Sequence, residues 1–340
     1  MNIALCSFGM SGRVFHAPFI AQHPHLNLYA VVERHRSESR ELYPKSKLYR
    51  SVAEMLQDPA IEVVVVNTPV QTHYEYAKEA LLAEKHVLVE KPFTVTAEEA
   101  RALNTLAKEK GKLLTVYQNR RYDGDYLKVK EIVKSGVLGE LKEVEIRFDR
   151  FRDSISAKAH KETAKSGGGA LYDLGAHLID QALQLFGKPI KIYADLGYLR
   201  KGTQTDDYFE VICFYDNQLR VRLKSSTFAL ERQWEYVLHG TKGSFLQQRF
   251  DGQENALVAG VIPATIHWMP KVYEPNGILH TLESRTFTTA QHGNYGQFYE
   301  DFYQALVGKK ENPVPASEAL EVINIIDELA NRQIAKLANL

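Results

Sequence analysis

Three residues in this sequence have side chains that could together support hydride transfer to or from an alcohol carbon. Lys91 directly follows an apolar, strand-like run, and Asp173 and His177 are four residues apart, which places them on one helix face. Oxidation of an alcohol needs a group that takes the hydroxyl proton, and the ordinary pKa of histidine lies nearest neutrality. It also needs a cation beside the developing alkoxide, which a lysine can supply. We therefore interpret Lys91, Asp173 and His177 as catalytic candidates, with Asp173 orienting the substrate hydroxyls or the imidazole.

Each candidate also has an ordinary structural interpretation. A lysine before Pro92 can be a charged loop residue, and a histidine on an amphipathic helix is more often packed or exposed than catalytic. The glycine run 167–169 before this helix favours the catalytic interpretation, because it indicates a flexible loop beside the carboxylate and imidazole. Asp173 and His177 could begin a metal site, but no third ligand presents itself, so we expect no metal. Lys91 could also be the proton acceptor in place of His177.

A turn suited to a dinucleotide cofactor follows the first predicted strand. Residues 7–12 occupy the frame G-x-G-x-x-G between a strand and a helix, with serine in the first place. The second glycine would let the backbone approach a pyrophosphate, and the third would allow the helix to pack closely on the strand. A serine fits the first place only if its φ stays negative or strain is tolerated, and simple packing of strand and helix is the alternative interpretation. The predicted cofactor-binding residues here are Ser7, Gly9, Met10, Ser11 and Gly12.

The end of the second predicted strand carries signals for both forms of the cofactor. Glu33 lies 21 positions after Gly12, close to the spacing of an acidic residue that binds the ribose hydroxyls. Arg34 and Arg36 follow it, and arginines there favour the 2′-phosphate of NADP. Because the carboxylate would repel that phosphate, we expect NAD, with NADP as the alternative. Glu33 and Arg34 are counted as cofactor-binding residues, although Glu33 could be an ordinary surface residue at a strand end.

The elements that must position these residues change in character near residue 120. Residues 1–120 alternate short apolar runs with helical patterns, which indicates a Rossmann domain, a doubly wound α/β fold with a parallel sheet. Residues 121–340 carry consecutive strand-like runs, which indicate a second α/β domain with a largely antiparallel open sheet. Segment 251–292 is irregular in pattern, and a final helix over 316–339 could pack back on the first domain. The strands predicted for the first domain are 3–7, 28–33, 61–67, 86–90 and 113–118.

Composition restricts the class of protein. The 340 residues contain 42 lysines and arginines and 42 aspartates and glutamates, so no net field favours nucleic acid or an anionic membrane. Two distant cysteines exclude a disulfide framework and fit a reducing cytoplasm, and no apolar run approaches about 18 residues, the length of a membrane span. The N-terminus runs straight into a strand without a leader pattern. We expect a cytoplasmic protein with a small neutral polyol as its partner, although Arg120, Arg121 and Lys165 could bind an anionic group locally.

Five segments of the chain resemble the glucose–fructose oxidoreductase/inositol dehydrogenase (Gfo/Idh/MocA) family over essentially the whole length. The segments are the glycine turn with residues 14–18, Asn67-Thr68-Pro69 with His73, Glu90-Lys91-Pro92, residues 118–122, and residues 173–177. The sequences FHAP, NRRY and YDLGAH look most like the branch that contains NADP-dependent scyllo-inositol dehydrogenase.

The resemblance implies a Rossmann domain that binds NAD or NADP and a second domain whose open sheet forms a subunit interface. It implies Lys91, Asp173 and His177 as the catalytic set, and it favours a cis peptide bond before Pro92. Further cofactor-binding residues are expected at Asn67, Thr68, Pro69, His73, Glu90, Lys91 and Asn119. Substrate contacts are expected from Lys91, Arg121, Tyr122, Tyr172, Asp173 and His177.

These patterns predict an NAD(P)-dependent dehydrogenase that moves a hydride between the nicotinamide and a secondary alcohol or ketone of a sugar or cyclitol. A regulatory protein that binds dinucleotide and sugar without turnover is a different class, and the intact catalytic set counts against it. Glycoside cleavage with recycling of bound NAD is a second alternative.

Assembly can be predicted from the strands between about 190 and 249. Run 209–215 carries large apolar groups at alternate positions, so both faces of the open sheet would need cover. We expect the outer face to be buried in a two-fold homodimer, which could pair again into a tetramer. The alternative is a monomer in which segment 251–292 folds over the sheet.

Overall fold

The computed structural model describes residues 1–155, 167–270 and 274–338, with side chains described as far as residue 332. The chain divides into two compact units, each built from separate stretches. The first comprises Met1–Asn119, Gln253–Met269 and Asn294–Ile323, and the second comprises Arg120–Gly252, Pro270–Gly293 and Asn324–Leu340. The change near residue 120 was expected from sequence, as was a return of the final helix to the first unit, which includes its residues 316–323. The return of Gln253–Met269 and of residues 294–315 was not expected. Lys165 lies outside the described residues.

A six-stranded sheet forms the core of the first unit. Its strands are β1 (Asn2–Leu5), β2 (Asn27–Val32), β3 (Lys47–Tyr49), β4 (Val63–Val66), β5 (His86–Glu90) and β6 (Leu114–Tyr117). Their order in the sheet is β3-β2-β1-β4-β5-β6, and every described pair is parallel. This confirms the predicted Rossmann domain. The edge strand β3 was not predicted, because none of its three residues is fully buried and it carries no apolar run.

Helices connect these strands, and two of them begin at capping-box sequences, Ser51–Glu54 and Thr96–Glu99. The helices are α1 (Ala17–Gln22), α2 (Glu38–Leu42), α3 (Val52–Leu56), α4 (His73–Leu82) and α5 (Ala97–Glu109). At α5 the capping box is complete, because Thr96 Oγ1 accepts from Glu99 N and Glu99 Oε2 accepts from Thr96 N. At α3 it is incomplete, because Ser51 Oγ accepts from Glu54 N while Glu54 Oε2 accepts from Arg50 N.

An eight-stranded sheet forms the core of the second unit. Its strands are β7 (Leu141–Arg147), β8 (Lys191–Gly197), β9 (Tyr208–Phe214), β10 (Arg220–Ser226), β11 (Tyr236–Gly240), β12 (Gly243–Gln247), β13 (Gly277–Thr281) and β14 (Arg285–Thr288). The order is β14-β13-β12-β11-β7-β10-β9-β8, with β7 and β10 parallel and the other described neighbours antiparallel. The predicted largely antiparallel sheet is confirmed. Strands β13 and β14 lie in the segment that sequence left unassigned, since the residues of β14 are mostly exposed and show no alternation.

The remaining helices are α6 (Gly124–Ser135), α7 (Ala176–Phe186), α8 (Gly252–Val258), α9 (Tyr295–Leu306) and α10 (Ala316–Ala338). Helix α9 belongs to the first unit, and α10 begins in the first unit and ends in the second. Within the described ranges, no helix is long and apolar enough to cross a membrane.

The outer face of the second sheet is mixed in character. In β9 the side chains of Phe209, Val211 and Cys213 are buried, while those of Tyr208, Glu210, Ile212 and Phe214 are half-buried on the opposite face. On that opposite face Arg222 lies 3.5, 3.4 and 2.9 Å from carboxylate oxygens of Glu143, Glu145 and Glu210. That face therefore combines half-buried apolar side chains with charged ones. Strand β9 carries apolar side chains on both faces of the sheet. Strands β7 and β10 carry charged side chains on the outer face.

An ion pair fixes the chain before α6 to helix α7. Arg121 lies in a 3₁₀ turn over Asn119–Tyr122, and Asp180 lies in α7 with only 2% of its surface exposed. Arg121 Nε donates to Asp180 Oδ2 at 2.9 Å, and Arg121 Nη2 donates to Asp180 Oδ1 at 2.6 Å. This two-pronged geometry is the strongest that arginine forms with a carboxylate. The pair therefore holds this turn against the helix that carries His177.

The substitution Arg121→Met is expected to lower the free energy of unfolding by about 3–5 kcal/mol, because Asp180 keeps a buried charge without the guanidinium. The double variant Arg121→Met/Asp180→Leu should recover most of that loss, since both charges are then removed. Urea unfolding followed by circular dichroism measures both values. Arg36→Met is the matched control, because it breaks an exposed pair with Glu38 and should cost at most about 1 kcal/mol. Wild-type stability in Arg121→Met would contradict a structural role for the pair.

Candidate active site

The turn after β1 is held by hydrogen bonds between Ser7 and Asn67. Ser7 N donates to Asn67 Oδ1 at 3.0 Å, Ser7 Oγ donates to Asn67 O at 2.8 Å, and Asn67 Nδ2 donates to Ser7 O at 2.9 Å. Asn67 follows β4, the neighbour of β1, at the place where the strand order reverses and ligands of such sheets bind. The Asn67 side chain, predicted to bind cofactor, thus connects two strand ends. Among the described residues only Glu84 and Gln218 are non-glycine residues with positive φ, so Ser7 meets the requirement of its position.

The two glycines of this turn serve different purposes. A Cβ at Gly12 would lie 2.5 Å from Ser7 O and 2.8 Å from Asn67 Nδ2, so the fold itself requires glycine there. A Cβ at Gly9 would approach Ser7 Oγ only to 3.9 Å, which leaves room for a side chain. Glycine at such an open position fits a ligand that approaches the backbone, as a pyrophosphate does.

The other two predicted residues of the turn lie at its surface. Met10 is 50% exposed, and Ser11 is half-buried with its Oγ 3.5 Å from Asn67 O. The residues present in this turn therefore fit a dinucleotide.

Glu33, at the end of β2, has a carboxylate that is already engaged. Its Oε1 accepts from Glu38 N at 3.1 Å, and its Oε2 accepts from Ser39 N at 3.0 Å and from Ser39 Oγ at 2.5 Å. A carboxylate has about four acceptor positions, and three of them are used here. A ribose diol would need two. Glu33 is only 7% exposed and caps the start of α2, so only one acceptor position remains for the diol that sequence expected it to bind.

The loop that follows Glu33 is held by hydrogen bonds from the Arg50 side chain to its backbone carbonyl groups. Arg50 Nη1 donates to Glu33 O at 2.9 Å and to Arg36 O at 2.6 Å. Arg34 is exposed, and Arg36 is exposed beside Glu38 at 2.9 Å. The end of β2 therefore presents guanidinium groups to solvent while its carboxylate is turned inward.

His73 connects the loops that follow β4 and β5. Its Nε2 lies 2.8 Å from Thr68 O, and its Nδ1 lies 3.0 Å from Pro92 O. The ring is buried, and burial lowers the pKa of His73 against the opposing effect of the backbone carbonyl groups that it contacts. The loop with Thr68 and the exposed Pro69 is thereby fixed relative to the turn that carries Lys91. His73 was predicted to bind cofactor, and in the structure its ring nitrogens contact backbone carbonyl groups of both loops.

A buried polar network lies directly behind Lys91. Lys91 N donates to Glu90 Oε2 at 3.1 Å, and Glu90 Oε1 lies 3.0 Å from His16 Nε2. His16 Nδ1 lies 2.8 Å from Tyr299 Oη. Burial acts to raise the pKa of Glu90, but the hydrogen bond and charge of His16 outweigh it and lower that pKa. Lys91 is half-buried, and the predicted cis bond between Lys91 and Pro92 is confirmed.

Sequence reasoning assigned no role to three residues that organise these loops. His16 was noted only as part of a matching segment, and Tyr299 is 283 positions away from it. No local pattern connects such a pair, because the partner is supplied by helix α9. Arg50 lies in an exposed connection between β3 and α3, and no sequence motif there indicates a role for it.

In the second unit, Tyr172, Asp173 and His177 lie on one helical segment. Tyr172 and Asp173 belong to a π-helical turn over Leu171–Gly175, and His177 lies in the first turn of α7. Tyr172 and His177 are buried, and Asp173 is half-buried. The helix predicted from their spacing is confirmed, but its first turn is π-helical. Among the predicted substrate contacts, Arg121 is paired with Asp180 as described above.

Asn119 and Tyr122 occupy the 3₁₀ turn that contains Arg121. Asn119 is buried and closes the first unit, while Tyr122 is half-buried. Within the part of the chain that the structure describes, no group of three or more histidine, cysteine, aspartate or glutamate side chains could hold a metal ion.

Comparison with known proteins places both units in one family. Residues 1–118 match the model of the oxidoreductase family with an NAD-binding Rossmann fold, and residues 126–246 match the GFO/IDH/MocA C-terminal domain. A solved structure of a protein from Bacteroides fragilis is similar at a TM-score of 0.86 and 43% identity, covering 98% of this chain and 97% of its own.

Two curated proteins are similar over nearly the whole chain. The uncharacterised oxidoreductase YdgJ of Escherichia coli is 38% identical, covering 96% of this chain and 94% of its own length. The scyllo-inositol 2-dehydrogenase (NADP(+)) IolW of Bacillus subtilis is 34% identical, covering 96% of this chain and 92% of its own length. From the match of both units and from these identities, the chain belongs to the GFO/IDH/MocA family of oxidoreductases.

Proposed function

We propose that this protein is an NADP-preferring dehydrogenase that interconverts a secondary alcohol and a ketone on a sugar or cyclitol. The observation that carries the reaction class is Lys91 at the carboxyl end of β5, fixed by Glu90 and by the loop contacts of His73. The cyclitol class is supported by the relative named as a scyllo-inositol dehydrogenase. When bound, the nicotinamide cofactor supplies or accepts the hydride.

The roles of the chain's own residues follow from their chemistry. The Lys91 ammonium places positive charge where the substrate oxygen becomes an alkoxide. His177 takes the hydroxyl proton in the oxidation direction, and Asp173 orients the substrate hydroxyls. In the alternative assignment Lys91 is the proton acceptor. If His177 is the proton acceptor, His177→Gln should remove the pH dependence of turnover. If Lys91 is the proton acceptor, Lys91→Met should remove it.

The substitution Lys91→Ala is expected to reduce turnover by a factor on the order of 10² or more, because it removes the group that stabilises the oxyanion. Cofactor affinity should remain nearly unchanged, since the glycine turn is untouched. Steady-state rates with a panel of inositols and sugars measure turnover, and nicotinamide fluorescence measures cofactor affinity. Lys45→Ala removes an exposed lysine and is the control. Wild-type turnover in Lys91→Ala would remove this lysine from the mechanism.

The preference for NADP is supported by the charges at the end of β2. Glu33 spends three acceptor positions on α2, whereas Arg34 and Arg36 are exposed beside the place where the adenosine ribose binds in such folds. Arg13 lies in the same region, 3.7 Å from Glu38. Arg13 and Arg36 both lie beside the Glu38 carboxylate and Arg34 is exposed nearby in sequence, so this excess of positive charge would favour a 2′-phosphate. The proposal departs from the NAD preference expected from sequence.

The unmodified protein is expected to bind NADPH at least about tenfold more tightly than NADH, because a charged hydrogen bond contributes about 1.5–3 kcal/mol. Arg34→Ala should weaken NADPH binding about tenfold or more and leave NADH binding unchanged. Arg40→Ala, which removes an exposed arginine from α2, is the control. Fluorescence titration gives the affinity of each of the three proteins for each cofactor.

Glu33→Gln separates the two possible roles of the acidic residue. If Glu33 fixes the loop, this variant weakens the binding of NADH and of NADPH to the same extent and lowers the melting temperature of the protein. Selective weakening of NADH, or equal affinity of the wild type for both cofactors, would contradict the NADP proposal.

We also propose a homodimer formed through the outer face of the second sheet. Tyr193 of β8 is 59% exposed and lies opposite Ile212 of β9, which in turn lies opposite Arg222 of β10. A second copy related by a two-fold axis would cover the apolar groups of Tyr193 and Ile212 on this face.

The substitution Ile212→Lys is expected to convert the dimer to a monomer, because it adds a charge to the row of apolar groups on that face. Light scattering at micromolar concentration measures the mass. Leu82→Lys, at an exposed position on α4, is the control. A mass of 38.6 kDa for the wild type would contradict the dimer.

A cytoplasmic location is the last part of the proposal. Cys6 and Cys213 are both free and buried, and burial raises the pKa of the Cys213 thiol to about 12. Thiols of this kind suit a reducing compartment.

A further inference from the structure

The loop between β8 and β9 holds the start of the helical segment that carries Tyr172 and Asp173. Asp206 in this loop accepts a hydrogen bond from Leu171 N at its Oδ2, 2.6 Å away. The Asp206 backbone carbonyl accepts from Ala170 N at 2.8 Å. The first N–H groups of a helix have no partner inside it, so one residue here satisfies two successive donors.

The glycine run before the helix is shaped by this contact. Gly169 has φ +103°, in a region that favours glycine, and a Cβ there would lie 2.2 Å from Asp206 Oδ1. Any side chain at Gly169 would therefore displace the carboxylate from Leu171. Sequence indicated a flexible glycine loop, whereas its third glycine has a defined steric purpose.

The neighbouring residue Asp207 fixes the loop from which Asp206 projects. Asp207 Oδ1 accepts from Leu199 N at 2.6 Å, and its Oδ2 accepts from Arg200 N at 2.9 Å and from Arg200 Nε at 2.8 Å. Asp207 and Arg200 are both buried. The loop is thus closed on itself by an ion pair, and Asp206 is presented to the helix from a fixed backbone.

We propose that Asp206 is a positioning residue for the reaction: it holds the turn Leu171–Gly175 so that Tyr172 and Asp173 keep the geometry used in turnover. The inference rests on the proposed dehydrogenase activity. Asp206 acts through the helix and does not itself contact the reacting atoms. A displacement of about 1 Å in a catalytic group can cost about 10²-fold in rate, so a loose helix start would be felt in turnover.

Titration of Asp206 gives this role a pH dependence. Burial raises the pKa of Asp206 to about 7, the charge of Asp207 adds to the rise, and the hydrogen bond from Leu171 N opposes it. Tyr198, at the other end of the loop, also faces Asp206, and its own pKa is raised by burial and by that carboxylate.

The sign follows from linkage. The ordinary pKa of 3.8 is lower than the value in the folded protein, so the anchored state binds more protons than a released one. The anchor is therefore most stable at low pH and loosens as the pH rises from about 3.8 to about 7, where Asp206 ionises in the anchored state. An asparagine at this position keeps the acceptor and cannot ionise.

Three variants test the proposal in the full-length protein. Asp206→Ala and Gly169→Ala should each lower kcat about tenfold or more, with the affinity for NADPH unchanged. Here kcat is calculated from the concentration of cofactor-binding sites. Asp206→Asn should keep kcat at pH 6 and exceed the wild type several-fold at pH 8.5, since only the wild type ionises. The ratio of the two rates cancels any titration that both proteins share, including that of His177. Asp216→Ala, in the exposed turn after β9, is the control.

Each outcome decides for or against the proposal. Wild-type kcat in Asp206→Ala, or a rate ratio of Asp206→Asn to wild type that does not change with pH, would overturn it. If the wild type turns over no polyol, the proposed function fails, and hydrogen exchange then tests the anchor by itself. The amides of Ala170 and Leu171 should exchange faster in Asp206→Ala than in the wild type, and equal exchange would overturn the inference.

Discussion

Parallel strands stop donating and accepting hydrogen bonds at their ends, and the loops that leave them need other partners. In this protein, buried polar side chains supply those partners. Asn67 binds both the backbone N–H and the carbonyl of Ser7, and His73 contacts carbonyl groups of the two loops that follow β4 and β5. An unpaired polar group in these buried places would cost about 1–3 kcal/mol, so the contacts resist exchange for water. The glycine turn and the Lys91 turn inherit their fixed positions from this set of side chains.

Several residues that look like ligands in the sequence are engaged in holding loops. Glu33 occupies the place of a ribose ligand, yet its carboxylate binds the start of α2, and Arg121 binds Asp180. A sequence motif fixes the type and spacing of a residue but not which of its neighbours competes for its hydrogen bonds. The same separation applies to Asp206 and Asp207, which are adjacent in sequence and serve the helix and the loop respectively.

The amount of structure that sequence could predict depended on how local the signal was. Strand β5 was predicted with its observed bounds, because His86–Glu90 is a short apolar run between clear breaks. The capping box at Thr96 was equally local. Strand β14 and the partnership of His16 with Tyr299 could not be predicted, because one lacks an apolar pattern and the other joins distant parts of the chain. The charges on the outer sheet face come from β7 and β10, and no single strand shows in its own sequence which strands will be its neighbours.

The discontinuous first unit has a consequence for the order in which the protein can fold during synthesis. Helix α9 is made after the second sheet, yet Phe298 and Tyr299 pack against Tyr117, and Tyr299 stacks on Phe19 at 5.6 Å between ring centres. Until those residues leave the ribosome, the nascent first sheet must expose the aromatic surface that they will cover. Such surface is prone to aggregate, so the chain is exposed to that hazard for most of its synthesis. A fragment ending near residue 120 would carry the whole parallel sheet and still lack part of its own core.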